Sequence, residues 1–173
     1  MVLEKLIIRP IRKNELPALH EIINMPEVAE LAGPIPPMTY EQFEKWHGRY
    51  IEEPQHIGLV AKVNKKTIGL VTLSIEEEIY RYDSWLAIYL HKDFWHKGVG
   101  TQLMKTAIDV ARDIGLRRIS LGVFAENEAA MRMYKKMGFM VEGRSKNDVY
   151  TFGKYMDTIL MGLLFDEDLP REK

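Results

Sequence analysis

Residues Trp85 to Thr101 read WLAIYLHKDFWHKGVGT. The apolar run Leu86 to Leu90 stops at polar residues, a loop with Gly98 and Gly100 follows, and a helical pattern opens behind it. Strand, glycine-bearing turn and helix is an arrangement that points unpaired backbone N–H groups at a phosphate. Glycine at two positions lets the backbone come close to an anion, because no Cβ stands in the way. The segment therefore points to a phosphorylated cofactor, although a tight strand-to-helix turn that binds nothing would share its local pattern. It is not a P-loop, since no Gly-Lys-Ser/Thr follows, and Leu103 stands where a dinucleotide fingerprint needs its third glycine.

The rest of the chain bounds the answer. Its 173 residues suit one domain with a substantial core, so residues 1–173 are expected to form a single unit with 166–173 as a frayed charged tail. Apolar residues make up 46% and charged residues 28%, as in ordinary globular proteins. The 24 basic and 25 acidic residues leave a net charge of −1, which gives no footprint for nucleic acid or a membrane surface. The absence of cysteine excludes disulfides, thiolate metal sites and a cysteine nucleophile. The five histidines form no H-x-x-x-H pair, so no metal is expected. The clean apolar run Ile159 to Phe165 is far too short for a membrane span, and the first residues lack a signal-peptide pattern. The expected location is the cytoplasm.

Leu6 to Ile11 reads as a first strand. Asn14 is placed to cap a helix running to about Met25, with Leu16, Leu19, Ile22 and Ile23 on one face. The proline-rich AGPIPPM (residues 32–38) is a loop, and Thr39 with Gln42 forms a capping-box pattern for a second helix to about Glu52. This helix pair suits a lid or an acceptor-side wall. Ile57 to Val63 and Thr67 to Ile75 read as a hairpin turned by Asn64, Lys65 and Lys66, and Ser84 to Leu90 as the strand feeding the glycine loop. Helical spacing from Val99 ends at Gly115; Arg118 to Phe124 is another strand. Asn127 caps a helix that Gly138 ends, and Phe139 to Glu142 and Asp157 to Phe165 read as final strands. The order βααβββαβαββ predicts an α/β (α+β mixed) fold, a central mixed, mostly antiparallel twisted sheet flanked by helices.

ENEAAMRMYKKMGF, Glu126 to Phe139, is the second signal. Together with the glycine loop it closely resembles the GNAT superfamily of acetyl-CoA-dependent N-acyltransferases. The resemblance rests on Leu86–Leu90, Gly98-Val99-Gly100, Ile119–Val123, Asn127, Tyr134 and Gly138-Phe139. The tail from Glu142 is similar to the branch with polyamine, ribosomal-protein and amino-acid acetyltransferases, while the first eighty residues match only in element order.

The resemblance implies a role for each position. Backbone N–H groups of His96, Lys97, Gly98, Val99, Gly100 and Thr101 would hold the pyrophosphate of acetyl-CoA at a helix N-terminus, where unpaired amides and the helix dipole favour negative charge. Ile88, Tyr89 and Leu90 would pair with the pantetheine arm as an added strand, in a splay between this strand and the next. Asn127 and Ala130 would line the arm, and Tyr134 would stand near the thioester sulfur. An amine attacking the thioester directly needs donors for the oxyanion, such as the Leu90 N–H, and a proton for the leaving thiolate, which Tyr134 can give. Asn127 and Tyr134 are seven residues apart, so they share one helix face. Taken singly, they would also fit a plain N-cap and a core aromatic between Met131 and Met137.

The chain departs from the family pattern in two places. Trp95 stands where the loop usually opens with Arg or Gln three residues before the first glycine, which leaves Lys97 as a compensating point charge or a solvated loop residue. Trp85 stands where polyamine-acetylating relatives carry an acid, so polyamine specificity is not expected; its ring would suit an apolar or cation–π wall. The nearest acids are Glu76, Glu77, Glu78 and Asp83, and Glu76, which ends an apolar strand, is the candidate base. An ordered-water path would serve without one. Asp157 in the terminal hairpin could attract an ammonium group or only start a strand.

Two functions remain open at this stage. One is transfer of an acetyl group from acetyl-CoA to a primary amine of a small molecule or a protein N-terminus, with a homodimer as the assembly the resemblance implies. The other is a non-catalytic acyl-CoA-binding sensor or interaction module. A nucleotide-phosphate enzyme lacks its Lys-Ser/Thr pair and a carboxylate group for metal.

Overall fold

The computed structural model describes residues 5–32, 37–75 and 82–165. One seven-stranded sheet, in the order β1-β2-β3-β4-β5-β7-β6, organises them. Its strands are β1 (Ile7–Pro10), β2 (His56–Val63), β3 (Lys66–Ile75), β4 (Asp83–Leu90), β5 (Arg118–Phe124), β6 (Met140–Thr151) and β7 (Lys154–Leu164). Every neighbouring pair is antiparallel except β4 with β5. The mixed, mostly antiparallel sheet predicted from the element order is the one observed.

Among the described residues six α-helices flank it: α1 (Leu16–Ile23), α2 (Pro26–Ala32), α3 (Tyr40–His47), α4 (Arg49–Glu52), α5 (Val99–Asp113) and α6 (Glu128–Lys136). Strand alternation divides their contacts. Leu59, Ala61, Val71, Leu73, Leu86 and Leu90 join the core under α5 and α6, with Leu103, Met104, Ala107 and Tyr134. Val60, Leu70 and Tyr89, one step out of phase, join Leu16, Leu19, Ile22, Val28 and Phe43 from α1 to α3 on the opposite face. A one-residue slip of β4 would exchange the two sets, so the hydrophobic pattern fixes its register.

Several boundaries differ from expectation. Asn14 caps nothing; it lies inside the short 3-10 turn Lys13–Glu15 that leads into α1. The buried Glu15 organises that turn instead, accepting from the Arg12 N–H at 2.9 Å and from Lys62 at 2.8 Å, and pairing with Arg9. The helix expected to run to Met25 ends at Ile23, and α2 restarts at Pro26, where a missing N–H costs nothing in a first turn. The second expected helix forms its Thr39–Gln42 capping box, with both reciprocal bonds, but is divided at Gly48 into α3 and α4. The β2–β3 turn is the two residues Asn64 and Lys65, both at positive φ, the type I′ geometry that matches strand twist. Strand β6 runs far beyond Glu142, because bulges at Val141/Gly143 and Ser145/Val149 break the alternation that would have announced it. The Ile159 to Phe165 run is mostly core: Ile159, Met161 and Leu163 are buried and β7 lies between β5 and β6. Among the described residues, no helix is long and apolar enough to cross a membrane, and no group of three or more metal-ligating side chains is gathered.

A buried carboxyl and a half-buried imidazole link this fold to pH. Burial raises the Glu15 carboxyl, but hydrogen bonds from Lys62, Arg9 and the Arg12 N–H outweigh it and hold it below its ordinary 4.5. Its contribution is full above 4.5 and is lost as pH falls through the lower folded value. His47 stacks on Phe43 with ring centroids 3.9 Å apart, and burial pushes it down from 6.5 to about 4. The unfolded chain takes up this proton below 6.5 while the folded protein does not until about 4, so stability falls across that window by up to about 3 kcal/mol. In urea titrations at several pH values, His47→Gln is expected to flatten the decline between 6.5 and 4. Glu15→Ala is expected to cost about 3 kcal/mol at neutral pH, because it strands Arg9 and Lys62, and less in acid.

Candidate active site

Strands β4 and β5 pair only at Asp83↔Arg118, Ser84↔Ile119 and Trp85↔Ser120, and then part. The β3–β4 register determines which backbone groups face the gap. His91 donates to the Ile68 carbonyl at 2.8 Å, so alternation along an antiparallel ladder makes Leu70↔Tyr89 and Thr72↔Ala87 the hydrogen-bonded pairs. Tyr89 therefore spends its backbone on β3, whereas Ile88 and Leu90 turn theirs toward the gap. The indole N–H of Trp95 donates to the Leu90 carbonyl at 2.8 Å, which leaves the Ile88 N–H and C=O and the Leu90 N–H without a strand partner on that side.

A cavity of about 370 Å³ opens along this gap. The N-terminus of α5 forms one end. Gly98 is its N-cap at φ +78°, in the left-handed region, and supplies no side-chain cap. The first helical bond there runs from the Gln102 N–H to the Gly98 carbonyl, so Val99, Gly100 and Thr101 present unpaired N–H groups. The Val99 side chain itself is fully buried in the core. A Cβ on Gly100 would meet Met133 Sδ at 3.5 Å, an ordinary contact, so Gly98 rather than Gly100 needs to be glycine for the turn. His96 also has positive φ and lines the cavity. Lys97 does not line it; its ammonium sits 5.5 Å over the Phe94 ring.

Helix α6 forms the opposite wall. Asn127 caps it by accepting the Ala130 N–H at 3.2 Å, which leaves its amide donors for the cavity that it lines with Ala130 and Tyr134. One side chain thus both caps α6 and faces the cavity. Tyr134 is buried at 6% exposure, and burial pushes its phenol far above the ordinary range, so it keeps its proton throughout the working pH range. The helix pair expected to form a lid or wall, at 14–25 and 39–52, contributes no lining residue; α2, between them, contributes Val28, Leu31 and Ala32. Sequence reading left α2 unassigned; Pro26 followed by apolar Val28, Ala29, Leu31 and Ala32 was the available signal.

Of the sequence-predicted residues, the gap therefore gathers Ile88, Leu90, His96, Gly98, Gly100, Thr101, Asn127, Ala130 and Tyr134, with Tyr89 lining it from the β4 side. Glu76 lies outside the described residues. No Asp or Glu among the described residues lines the cavity. Asp157 is committed elsewhere, accepting from Arg144 Nε at 2.7 Å and from the Asn147 N–H at 2.8 Å. Trp95→Phe is expected to cost about 1–2 kcal/mol in chemical denaturation, because the Leu90 carbonyl loses its donor inside the fold.

Comparison with known proteins places this geometry in context. The family model described as "Acetyltransferase (GNAT) family" matches residues 17–139. An L-amino acid N-acetyltransferase of Escherichia coli is 26% identical over 161 residues, covering 92% of this chain and 98% of the relative. A spermidine N(1)-acetyltransferase of the same organism is 25% identical over 167 residues, covering 96% and 89%. Among solved structures, the spermidine N-acetyltransferase of Vibrio cholerae in complex with CoA and spermine superposes with a TM-score of 0.81 at 25% identity, covering 92% of this chain and 95% of that one. An N-acetyltransferase from Staphylococcus aureus shares the fold at a TM-score of 0.85 and 24% identity, covering 93% and 99%.

Proposed function

Because the chain belongs to the GNAT acetyltransferase family and is an acyltransferase, we propose that it moves the acetyl group of acetyl-CoA to the primary amine of a small molecule by direct attack, with Tyr134 as general acid. The observation that carries this reading is the unpaired edge of β4 facing a cavity between an uncapped helix N-terminus and the Tyr134 phenol. The residues present fit the cofactor. The amides of Val99, Gly100 and Thr101 suit a pyrophosphate, with the dipole of a 15-residue helix behind them. The Ile88 backbone can pair with an extended amide-bearing arm as another strand would. When bound, acetyl-CoA supplies an activated acyl group.

This chain's own residues do the rest. The Ile88 and Leu90 N–H groups are rigid donors, held by the β3 ladder on one side and by Trp95 at the strand end, and they suit a developing oxyanion without reorganisation. Tyr134 holds its proton against solvent and can give it to a thiolate formed beside it. Asn127 orients the arm through the amide hydrogens left free by capping. Val28, Leu31 and Ala32 exclude water from the α2 side. The incoming ammonium gives up its proton to a base or along a water path at the cavity mouth.

The test is free-thiol release from acetyl-CoA with a panel of amines, alongside calorimetric titration of acetyl-CoA. Amine-dependent release supports transfer; binding without release would support the sensor reading; absence of binding by folded protein would overturn the proposal. Tyr134→Phe is expected to lower kcat by about 100-fold or more while changing acetyl-CoA affinity little, since it removes a proton donor and not a contact surface. Unchanged turnover would exclude Tyr134 as the acid.

A further inference from the structure

We propose that the α2 side of the gap is an apolar wall for the acyl group, so that the protein also transfers acyl chains longer than acetyl, namely propionyl and butyryl groups, from their CoA thioesters. This deepens the acyl-transfer proposal and rests on it.

The cavity crosses the sheet. Ala130, Met133 and Tyr134 of α6 pack with the core under α5 and α6, whereas Val28 of α2 belongs to the core on the opposite face. All four line the same cavity. The cavity therefore runs through the parting of β4 and β5 beyond Trp85 and Ser120, and α2 packs against both of these strands.

The two ends of this passage differ in chemistry. The α5 and α6 end carries unpaired backbone amides, the Asn127 amide and the Tyr134 phenol. At the other end α2 presents Val28, Leu31 and Ala32, spaced i, i+3 and i+4 on one helix face and without a polar side-chain atom. The two carboxylates of α2 do not line the cavity: Glu27 accepts from Lys92 at 2.6 Å, and Glu30 is exposed. Residues 33–36, which follow α2 in the chain, are Gly33, Pro34, Ile35 and Pro36 and bring no ionisable side chain. Val28 is buried, but Leu31 is half-buried and Ala32 exposed, so part of this wall is apolar surface that packing has not consumed.

Thioester stereochemistry gives that surface its occupant. The carbonyl carbon is trigonal and bears sulfur, oxygen and the alkyl chain in one plane. With the sulfur beside Tyr134 on the α6 side and the oxygen on the N–H groups of the β4 edge, the alkyl chain leads away from the sulfur, toward α2. A methyl group uses only the start of that path. Each further methylene group that reaches the wall exchanges water for apolar contact, a gain of about four-fold in binding. The step balances as it does for acetyl. The amine lone pair forms the C–N bond, the C–S bond breaks with its electron pair on sulfur, and Tyr134 protonates the thiolate. The proton lost by the nitrogen returns to the phenol through solvent.

Calorimetry on the whole protein compares acetyl-, propionyl- and butyryl-CoA. Free-thiol release follows the same three with the most reactive amine of a panel of spermidine, L-methionine and benzylamine. Butyryl-CoA is expected to bind more tightly than acetyl-CoA, by about four-fold for each methylene group buried. At least one of the longer thioesters is expected to reach about one-third or more of the acetyl-CoA kcat/KM. Ala32→Phe, at an exposed position at the end of α2, is expected to lower the butyryl-to-acetyl ratio by about ten-fold in both measurements, because the ring fills the path of the longer chain. Leu31→Ala is expected to raise hexanoyl-CoA relative to butyryl-CoA by about three-fold or more. Butyryl-CoA binding no tighter than acetyl-CoA, both longer thioesters below that one-third, or ratios that neither variant moves would overturn the wall while leaving acetyl transfer intact. If acetyl-CoA releases no thiol with any amine, the acyl-transfer proposal fails separately, and the affinity ratios alone decide the wall.

Discussion

The site depends on two parallel strands being held by different neighbours. Strand β4 is committed to β3 along its whole length, to the His91–Ile68 bond past its end, and to the Trp95 indole at Leu90. Strand β5 is committed to β7 along all seven of its residues, and the Ala125 N–H continues that ladder onto the Asp157 carbonyl. After Trp85 and Ser120 the two strands part while each keeps the ladder on its other edge. Unpaired backbone is normally costly inside a fold. Here it lines a cavity, where a ligand or water can take the free hydrogen bonds. The gap is thus a consequence of sheet topology, and the side chains around it only decide what the gap accepts.

The same topology explains why the two cores must both be sound. Alternate residues of β4 feed opposite cores, with Leu86 and Leu90 under α5 and Tyr89 under α1 and α3. Loosening either core would let β4 rotate and turn the Ile88 and Leu90 N–H groups out of line. Glu15 lies far from the chemistry, yet it ties β1, β2 and the start of α1 into one body through Arg9, Lys62 and the Arg12 N–H. A buried carboxylate with three donors is retained where orientation matters, even when apolar packing could equal its stability.

How much of this was legible in the sequence follows from the range of each interaction. Residues 85–139 carry their signals locally: the apolar β4 run, glycines at the α5 turn, Asn127 as a cap, and helical spacing on α5 and α6. Those elements appeared within a residue or two of expectation, and the residues they carry line the gap. Asn14 misled because a short polar residue before an apolar helix has the form of a cap, while the actual bonds came from Glu15 to partners as distant as Lys62. Strand β6 was truncated because its bulges and exposed polar residues erase period two, and only pairing with β7 holds it straight. Helix α2 was missed because seven residues after a proline carry too few turns for a periodic signal. The splay could be expected only through the resemblance, since no local pattern encodes where two strands stop pairing.

What remained hidden was the acceptor side, and the reason is physical. The backbone groups that line the gap are tied to glycines and caps, which have sequence signatures. The side chains at the fork of β4 and β5 are brought together by β3–β4 register and by the docking of α4: Tyr50 lies 35 residues from Trp85 in sequence, yet it touches the partner of Trp85 across the sheet. Strand register and helix docking are long-range properties with no local pattern in the sequence, so this face of the sheet could be assembled only in three dimensions.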